Sequence, residues 1–288
     1  MRWPHYDHIF FDCDSTLTTV EGIDILAESV GKKWRVEVLT QAAMDGDLEL
    51  EQVYGKRLQA VKPTRQQVQQ IRRVYKRNVV EDATAVIHTL QALGHNVYII
   101  SGGLAEPVIE FGLYLGVPRQ HIRAVDVDYN QLSGRWWKNI PGQDRYLAHD
   151  EGALTVSDGK AQIVRELLGN QHGRSLLIGD GYSDLVAGTA ATPPVVNLFV
   201  GFGGVVNRER VRASAPAFIH STSLAPLLAL AAGPASLAHL QTTEHEPIAN
   251  KALTLIETGA ITFTNEQLKT KFDDAFSATR QTIHSRPH

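Results

Sequence analysis

Three short apolar runs in this chain each stop at a tight group of carboxylates or glycines. The run around Ile9-Phe10-Phe11 ends in Asp12 and Asp14, and VYII ends in Ser101-Gly102-Gly103. SLLIG ends in Asp180, with Asp184 four residues on. Runs of this length, bounded by turn residues, suit strands buried on both faces. Strands are expected at His8–Asp12, Val97–Ile100, Ile122–Val127, Leu132–Trp136, Ser175–Ile178 and Val195–Val200. Helical patterns separate most of them. One is capped by Asp82 and ends near Gly94, one runs from Ala105 to Gly116, one runs from Lys160 to Leu168 behind Ser157 or Asp158, and one follows Tyr182. Strands alternating with helices argue for parallel βαβ units, an α/β fold. Such sheets place their sites at the carboxyl ends of the strands, so polar groups far apart in sequence converge on one edge.

Two stretches break the alternation. Residues 15–78 read as helical throughout. Ile25, Leu26 and Val30 form one stripe that Gly31 ends, a turn near Gly46 leads into another helix, and Thr64 caps a helix carrying Val68, Ile71 and Tyr75. Lying between two strands, this stretch has the form of an inserted cap. After about residue 234 the chain is more polar, with helices expected near 246–257 and 264–283. The expected organisation is a core of 1–14 and 79–234, a helical cap of 15–78, and a helical extension of 235–288.

Composition removes several classes. Net charge is −3, which singles out no partner, and the one cysteine, Cys13, permits neither a disulfide framework nor a four-cysteine metal site. A single thiol fits a reducing cytoplasm. MRWPHYDH has no apolar segment of the kind a secretory signal needs. The most apolar stretch, residues 224–238, is broken by Pro226, Gly233 and Pro234 and is too short to span a bilayer. No membrane association is expected. GFGGVV at 201–206 lacks the spacing of a dinucleotide loop. The helix TRQQVQQIRRVYKR, 64–77, carries five basic and no acidic residues. It admits a nucleic-acid-binding reading, or a solvated face that steers anions; we expect the second, and no nucleic acid as partner.

The residue types indicate phosphoryl chemistry. Several carboxylates and one lysine suit a hard divalent cation together with an anion, and Mg²⁺ prefers a few carboxylates plus phosphate oxygens. Ser101 offers a hydroxyl and an N–H to a phosphate. Gly102 and Gly103 let the backbone approach closely, next to a helix N-terminus that favours negative charge. Lys160 offsets phosphoryl charge. With no Ser-His-Asp or Cys-His arrangement evident, the nucleophile is expected to be a carboxylate. In an extended segment Asp12 and Asp14 share a face while Cys13 points away as a packing residue. Ser15 and Thr16 are then placed to hydrogen-bond the turn or the carboxylates.

FDCDST, SGG, Lys160 and GDGYSD resemble the four motifs of the haloacid dehalogenase superfamily of aspartate-dependent phosphohydrolases. DCDSTLTTVEGIDILAE, AMDGDLELEQVYGKRL and VGFGGVVNRER further resemble segments of the phosphoserine phosphatases, over roughly residues 5–230. The resemblance implies a Rossmann-like core with a parallel sheet and an inserted helical cap. It implies Asp12 as nucleophile, Asp14 as acid/base, and Mg²⁺ held by Asp12, the Asp14 carbonyl and Asp180, with Asp184 acting through the metal's water shell. Ser101 and Gly102 would bind phosphate and Lys160 would neutralise it. Glu21 would meet the substrate ammonium, Arg57 its carboxylate, and Arg208 the substrate side. Charge logic agrees, because phosphoserine presents an ammonium for an acid and a carboxylate for a forked guanidinium. Leu50 stands where the family often has an aromatic residue, and Asp45 where glycine is common. The segment 137–157 is longer than usual, and the tail has no counterpart in short members. The expected partner is a small phosphorylated metabolite. Phosphoserine comes first, and a phosphosugar, phosphocholine or a methionine-salvage intermediate remains open. Oligomeric state is not legible.

Overall fold

The computed structural model describes residues 3–45, 47–130 and 144–284. Its strands are β1 (His8–Phe11), β2 (Asn96–Leu104), β3 (Ile122–Val125), β4 (Val127–Tyr129), β5 (Tyr146–His149), β6 (Ser175–Gly179), β7 (Leu198–Phe202), β8 (Ala217–Ile219) and β9 (Ile261–Phe263). Seven of them form one sheet in the order β3-β2-β1-β6-β7-β8-β9. All neighbours are parallel except β9, which pairs antiparallel with β8. β1, β6 and β7 are buried along their whole length, as continuous apolar runs in a covered parallel sheet should be. Phe11 pairs with Ile99 on one side and Ile178 on the other, so β1, β2 and β6 run level. Asp12, Ser101 and Asp180 follow within two residues of that register and therefore share one edge.

Between β1 and β2 run α1 (Gly22–Ser29), α2 (Lys33–Asp45), α3 (Leu50–Val61), α4 (Arg65–Arg77) and α5 (Ala83–Ala92). Thr64 caps α4 as expected, in a reciprocal capping box with Gln67. The basic face of α4 meets α6 (Ala105–Tyr114): Arg65 pairs with Glu106, and Arg72 and Lys76 both pair with Glu110. Three of the five basic residues of this helix are thus engaged in ion pairs within the molecule.

Several local expectations shift. Asp82 precedes α5 with a positive φ of 64° and makes no side-chain cap. Its carboxylate instead accepts from the Ser223 hydroxyl at 2.5 Å and pairs with Lys251 at 2.6 Å. α7 (Lys160–Leu168) starts behind Gly159 with no side-chain cap, and Ser157 Oγ accepts from the Leu50 N–H at 2.9 Å. The expected strand Ile122–Val127 divides, because β4 leaves the sheet to pair antiparallel with β5. That hairpin leans on the helical insert, with the Tyr146 N–H donating to the Pro63 carbonyl at 2.8 Å. The strand expected at Leu132–Trp136 lies outside the described residues, as do residues 137–143 of the 137–157 loop; the rest of that loop holds β5. β7 begins three residues later than Val195.

The tail holds α11 (Pro234–Leu240), α12 (Glu246–Glu257) and α13 (Glu266–His284), following α8 (Tyr182–Thr189), α9 (Glu209–Ser214) and α10 (Leu227–Ala232). It is not wholly helical, since β9 joins the main sheet. It is also part of the core: Phe272 packs edge-on against Trp3 at 5.0 Å, and Phe276 is buried beside it. No described helix is long and apolar enough to cross a membrane.

Candidate active site

The chain turns sharply after β1. The amides of Thr16, Leu17 and Thr18 all point at the Cys13 carbonyl, and Ser15 takes a positive φ of 57°. This turn keeps Asp12 and Asp14 on one side while Cys13 is fully buried on the other. Ser15 Oγ donates to Glu21 at 2.7 Å, and Thr16 Oγ1 to Asp180 at 3.4 Å, so both hydroxyls serve carboxylates. Asp184, in the first turn of α8, packs against Gly179, where any side chain would overlap its carboxyl.

Asp12, Asp180 and Asp184 are buried and each offer an oxygen within 4.8 Å of the others. Lys160 Nζ bridges two of them, at 2.6 Å from Asp12 and 2.7 Å from Asp184. Arg208 Nε donates to Asp180 at 3.0 Å, and its other nitrogens approach Asp45 at 3.3 Å and Glu21 at 3.9 Å. Asp14 Oδ1 accepts from the Tyr75 hydroxyl at 2.5 Å and Oδ2 from the Gly22 N–H at 3.1 Å.

Six carboxyls thus crowd around two cations, and burial disfavours the charged forms of those it encloses. Burial pushes Asp14 up to about 7 against the lowering pull of its Tyr75 and Gly22 donors, and the charges of Asp12 and Asp180 push the same way as burial. Glu21 rises to about 8 through burial and the charge of Asp14. Asp180 and Asp184 each rise to about 7, burial outweighing Arg208 in one and Lys160 in the other. Burial pulls Lys160 down, but Asp12 and Asp184 more than offset it, and the ammonium is held above its ordinary value. Three converging carboxylate oxygens are the hard donor set a divalent cation of the magnesium type prefers, so these residues fit such an ion.

One pocket is lined by Asp12, Asp14, Glu21, Arg57, Ser101, Gly102, Lys160 and Asp184, joining residues drawn from most of the chain. Arg57 is buried, lies over the Tyr54 ring at 5.5 Å and donates through one terminal nitrogen to Thr40 at 3.1 Å. Its Nε has no partner. Ser101 Oγ accepts from the Gly103 N–H at 2.9 Å, which orients the SGG turn. Leu50 lines the pocket, whereas Asp45 faces Arg208.

Arg208 pairs with Asp180, Asp45 and Glu21, so it joins the acidic cluster through these three acids. Other contacts had no signal in the sequence. Tyr75 reads as one more member of an apolar stripe, yet its hydroxyl reaches Asp14. Tyr54 donates to the Gly102 carbonyl at 2.8 Å, and Thr40 holds Arg57.

Comparison with known proteins agrees with this geometry. The profile of the haloacid dehalogenase-like hydrolases matches residues 9–188. A phosphoserine phosphatase of Mus musculus is 32% identical over 74% of this chain and 88% of its own length. A chloroplastic phosphoserine phosphatase of Arabidopsis thaliana is 32% identical over 74% of this chain and 68% of its own. The crystal structure of a phosphoserine phosphohydrolase-like protein from Francisella tularensis superposes with a TM-score of 0.63 at 25% identity, covering 75% of this chain and 95% of the other. With its strand-end acids, its bridging lysine and these relatives, the chain belongs to the haloacid dehalogenase-like hydrolases, as a phosphoserine phosphatase-like member.

Proposed function

We propose that this chain hydrolyses L-phosphoserine to L-serine and phosphate with Mg²⁺, through an aspartyl-phosphate on Asp12. The observation that carries the reading is a single pocket lined by Asp12, Asp14 and Lys160 and also by Glu21 and Arg57. Phosphate, ammonium and carboxylate each find an oppositely charged or neutralising group there. The curated relatives bear the name of this activity.

Lys160 holds one oxygen of Asp12, and the carboxylate attacks phosphorus in line with the ester oxygen. The P–O ester bond breaks as the new bond forms, and Asp14 gives its proton to the departing serine oxygen. Asp14 then takes a proton from the water that hydrolyses the acyl phosphate. Ser101 and Gly102 hold phosphoryl oxygens, and residues 15–78 act as the cap that limits water. Asp12, Asp180 and Asp184 would hold Mg²⁺, which when bound neutralises phosphoryl charge. The cytoplasm is the proposed location, which suits one buried thiol. Phosphate release measured with Mg²⁺ over phosphoserine, a phosphosugar and phosphocholine tests the reading. The expected result is a preference for phosphoserine of about 10-fold or more in kcat/KM, roughly the discrimination that one well-placed charged contact supplies. Equal rates would overturn the substrate, and no release from any ester would overturn the phosphatase.

The raised carboxyls give a second check. Asp14, Asp180 and Asp184 at about 7 and Glu21 at about 8 hold protons in the folded chain that the unfolded chain has released. Their contribution to stability is complete below the unfolded values of roughly 4 and is lost as pH rises through 7 and 8. Chelator-treated protein should therefore melt lower at about pH 8.5 than at about pH 5.5. A cation that binds the deprotonated acids should raise Tm more at the higher pH, by about 5 °C or more at saturation. An equal Mg²⁺ shift at both pH values would contradict the buried acidic site.

A further inference from the structure

We propose that Tyr75 is a positioning residue that aims the Asp14 carboxyl at the leaving oxygen, and that residue 22 is glycine to leave room for the Tyr75 hydroxyl. This rests on the phosphatase reading above. Tyr75 sits on α4 in the helical insert, fully buried, its ring edge-on to Phe111 at 5.4 Å. Its hydroxyl donates to Asp14 Oδ1 at 2.5 Å while the Gly22 N–H donates to Oδ2 at 3.1 Å. Two donors on two oxygens fix both the position and the rotation of the carboxyl plane. Each oxygen keeps a further lone pair, so the transferable proton has a place that neither donor contests. Burial, reinforced by the Asp14 charge, holds the Tyr75 phenol far above its ordinary value, and it stays a donor.

Gly22 supplies the second, independent observation. A Cβ there would overlap the Tyr75 hydroxyl, while the next nearest atoms, Tyr75 Cζ at 3.4 Å and Asp14 Oδ2 at 3.6 Å, would be in ordinary contact. The close approach is specifically to the hydroxyl oxygen. Gly22 opens α1 with φ and ψ that an L-residue adopts, since it is absent from the positive-φ glycines. Space, rather than backbone conformation, is what the glycine provides.

Through this contact the helical insert takes part in the chemistry. Arg72 and Lys76 pair with Glu110 and seat α4 on α6, so the hydroxyl reaches Asp14 from a fixed base. A shift of α4 would release one oxygen of the acid.

The test uses leaving-group dependence. In the first half-reaction the Asp12 oxygen bonds to phosphorus, the ester bond breaks, and its electron pair goes to the departing oxygen. From phosphoserine that oxygen must take the Asp14 proton. From 4-nitrophenyl phosphate the pair leaves as a stable phenolate and needs none. kcat/KM reports this step even where hydrolysis of the acyl phosphate limits kcat. Tyr75→Phe should lower kcat/KM about 10-fold or more for phosphoserine and less than about 3-fold for the aryl ester, within the range of a general-acid contribution. Gly22→Ala should show the same split in the wild-type background and add less than about 2-fold in Tyr75→Phe, because the atom it displaces is gone. Equal losses on both esters, no loss on phosphoserine, or additive losses in the double variant would overturn the positioning role while leaving the phosphatase reading intact. Failure of the unaltered chain to release phosphate from either ester would overturn both.

Discussion

Asp12→Asn should reduce turnover by roughly 10⁴-fold or more while leaving the fold intact, because an amide does not form the acyl phosphate on which the two-step reaction depends. The replacement is nearly isosteric, and Lys160 keeps its second partner, Asp184, at 2.7 Å. Stability should hold or improve in metal-free protein. Asp12 contributes to the repulsion that raises Asp14, Asp180 and Asp184, so removing its charge relieves all three. The site is thus built against its own stability, with acids crowded for the reaction and a cation's charge needed to balance them. Phosphate release and a thermal melt on the same preparation check both halves. Turnover above about a hundredth of wild type would remove Asp12 as nucleophile, since lesser residues do not cost as much.

Phe272→Ala should cost about 3–5 kcal/mol of unfolding free energy, the usual range for emptying a buried aromatic site. Phe272 is 2% exposed. Its ring meets Trp3 at 5.0 Å, Phe263 at 5.3 Å and Phe276 at 6.0 Å, so the cavity would open among rings that cannot easily collapse into it. The cluster ties α13 to the segment before β1, whereas the pocket lies beyond the other end of β1. Catalysis by the fraction that remains folded should change little. Urea unfolding gives the number, and a loss under about 1 kcal/mol would mean that α13 is only loosely applied.

What the sequence disclosed follows from how local each signal is. Asp12, Asp14, Ser101, Asp180 and Asp184 were readable because each directly follows an apolar run, and parallel strands bring such ends together by construction. Lys160 was readable by its place at a helix start. Thr64 was legible because a threonine directly ahead of a helical stripe is a local signal. Tyr75 was not, since at helical spacing a tyrosine that packs and a tyrosine that donates to an acid look alike. The partners of Arg208 were hidden for the opposite reason: its charge was visible, but the acids at positions 21, 45 and 180 are its neighbours only in space. The strand Ile261–Phe263 escaped notice because three residues with Gly259 before them carry too little periodicity to stand out from a helical tail. Asp82 had the residue type of a cap, but Ser223 and Lys251 claim its carboxylate from more than a hundred residues away.

β9 has a consequence for how the chain is made. Parallel strands β1, β6, β7 and β8 all precede it, so during synthesis the outer edge of β8 stays bare until residues 261–263 have emerged. An unpaired strand edge is a template for pairing with another chain. β9 closes that edge by running back antiparallel, and α13 packs an aromatic ring onto Trp3, in the segment that leads into β1. The segment before β1 and α13 thus meet across the sheet, and cover of the β8 edge waits on a strand more than forty residues further along the chain.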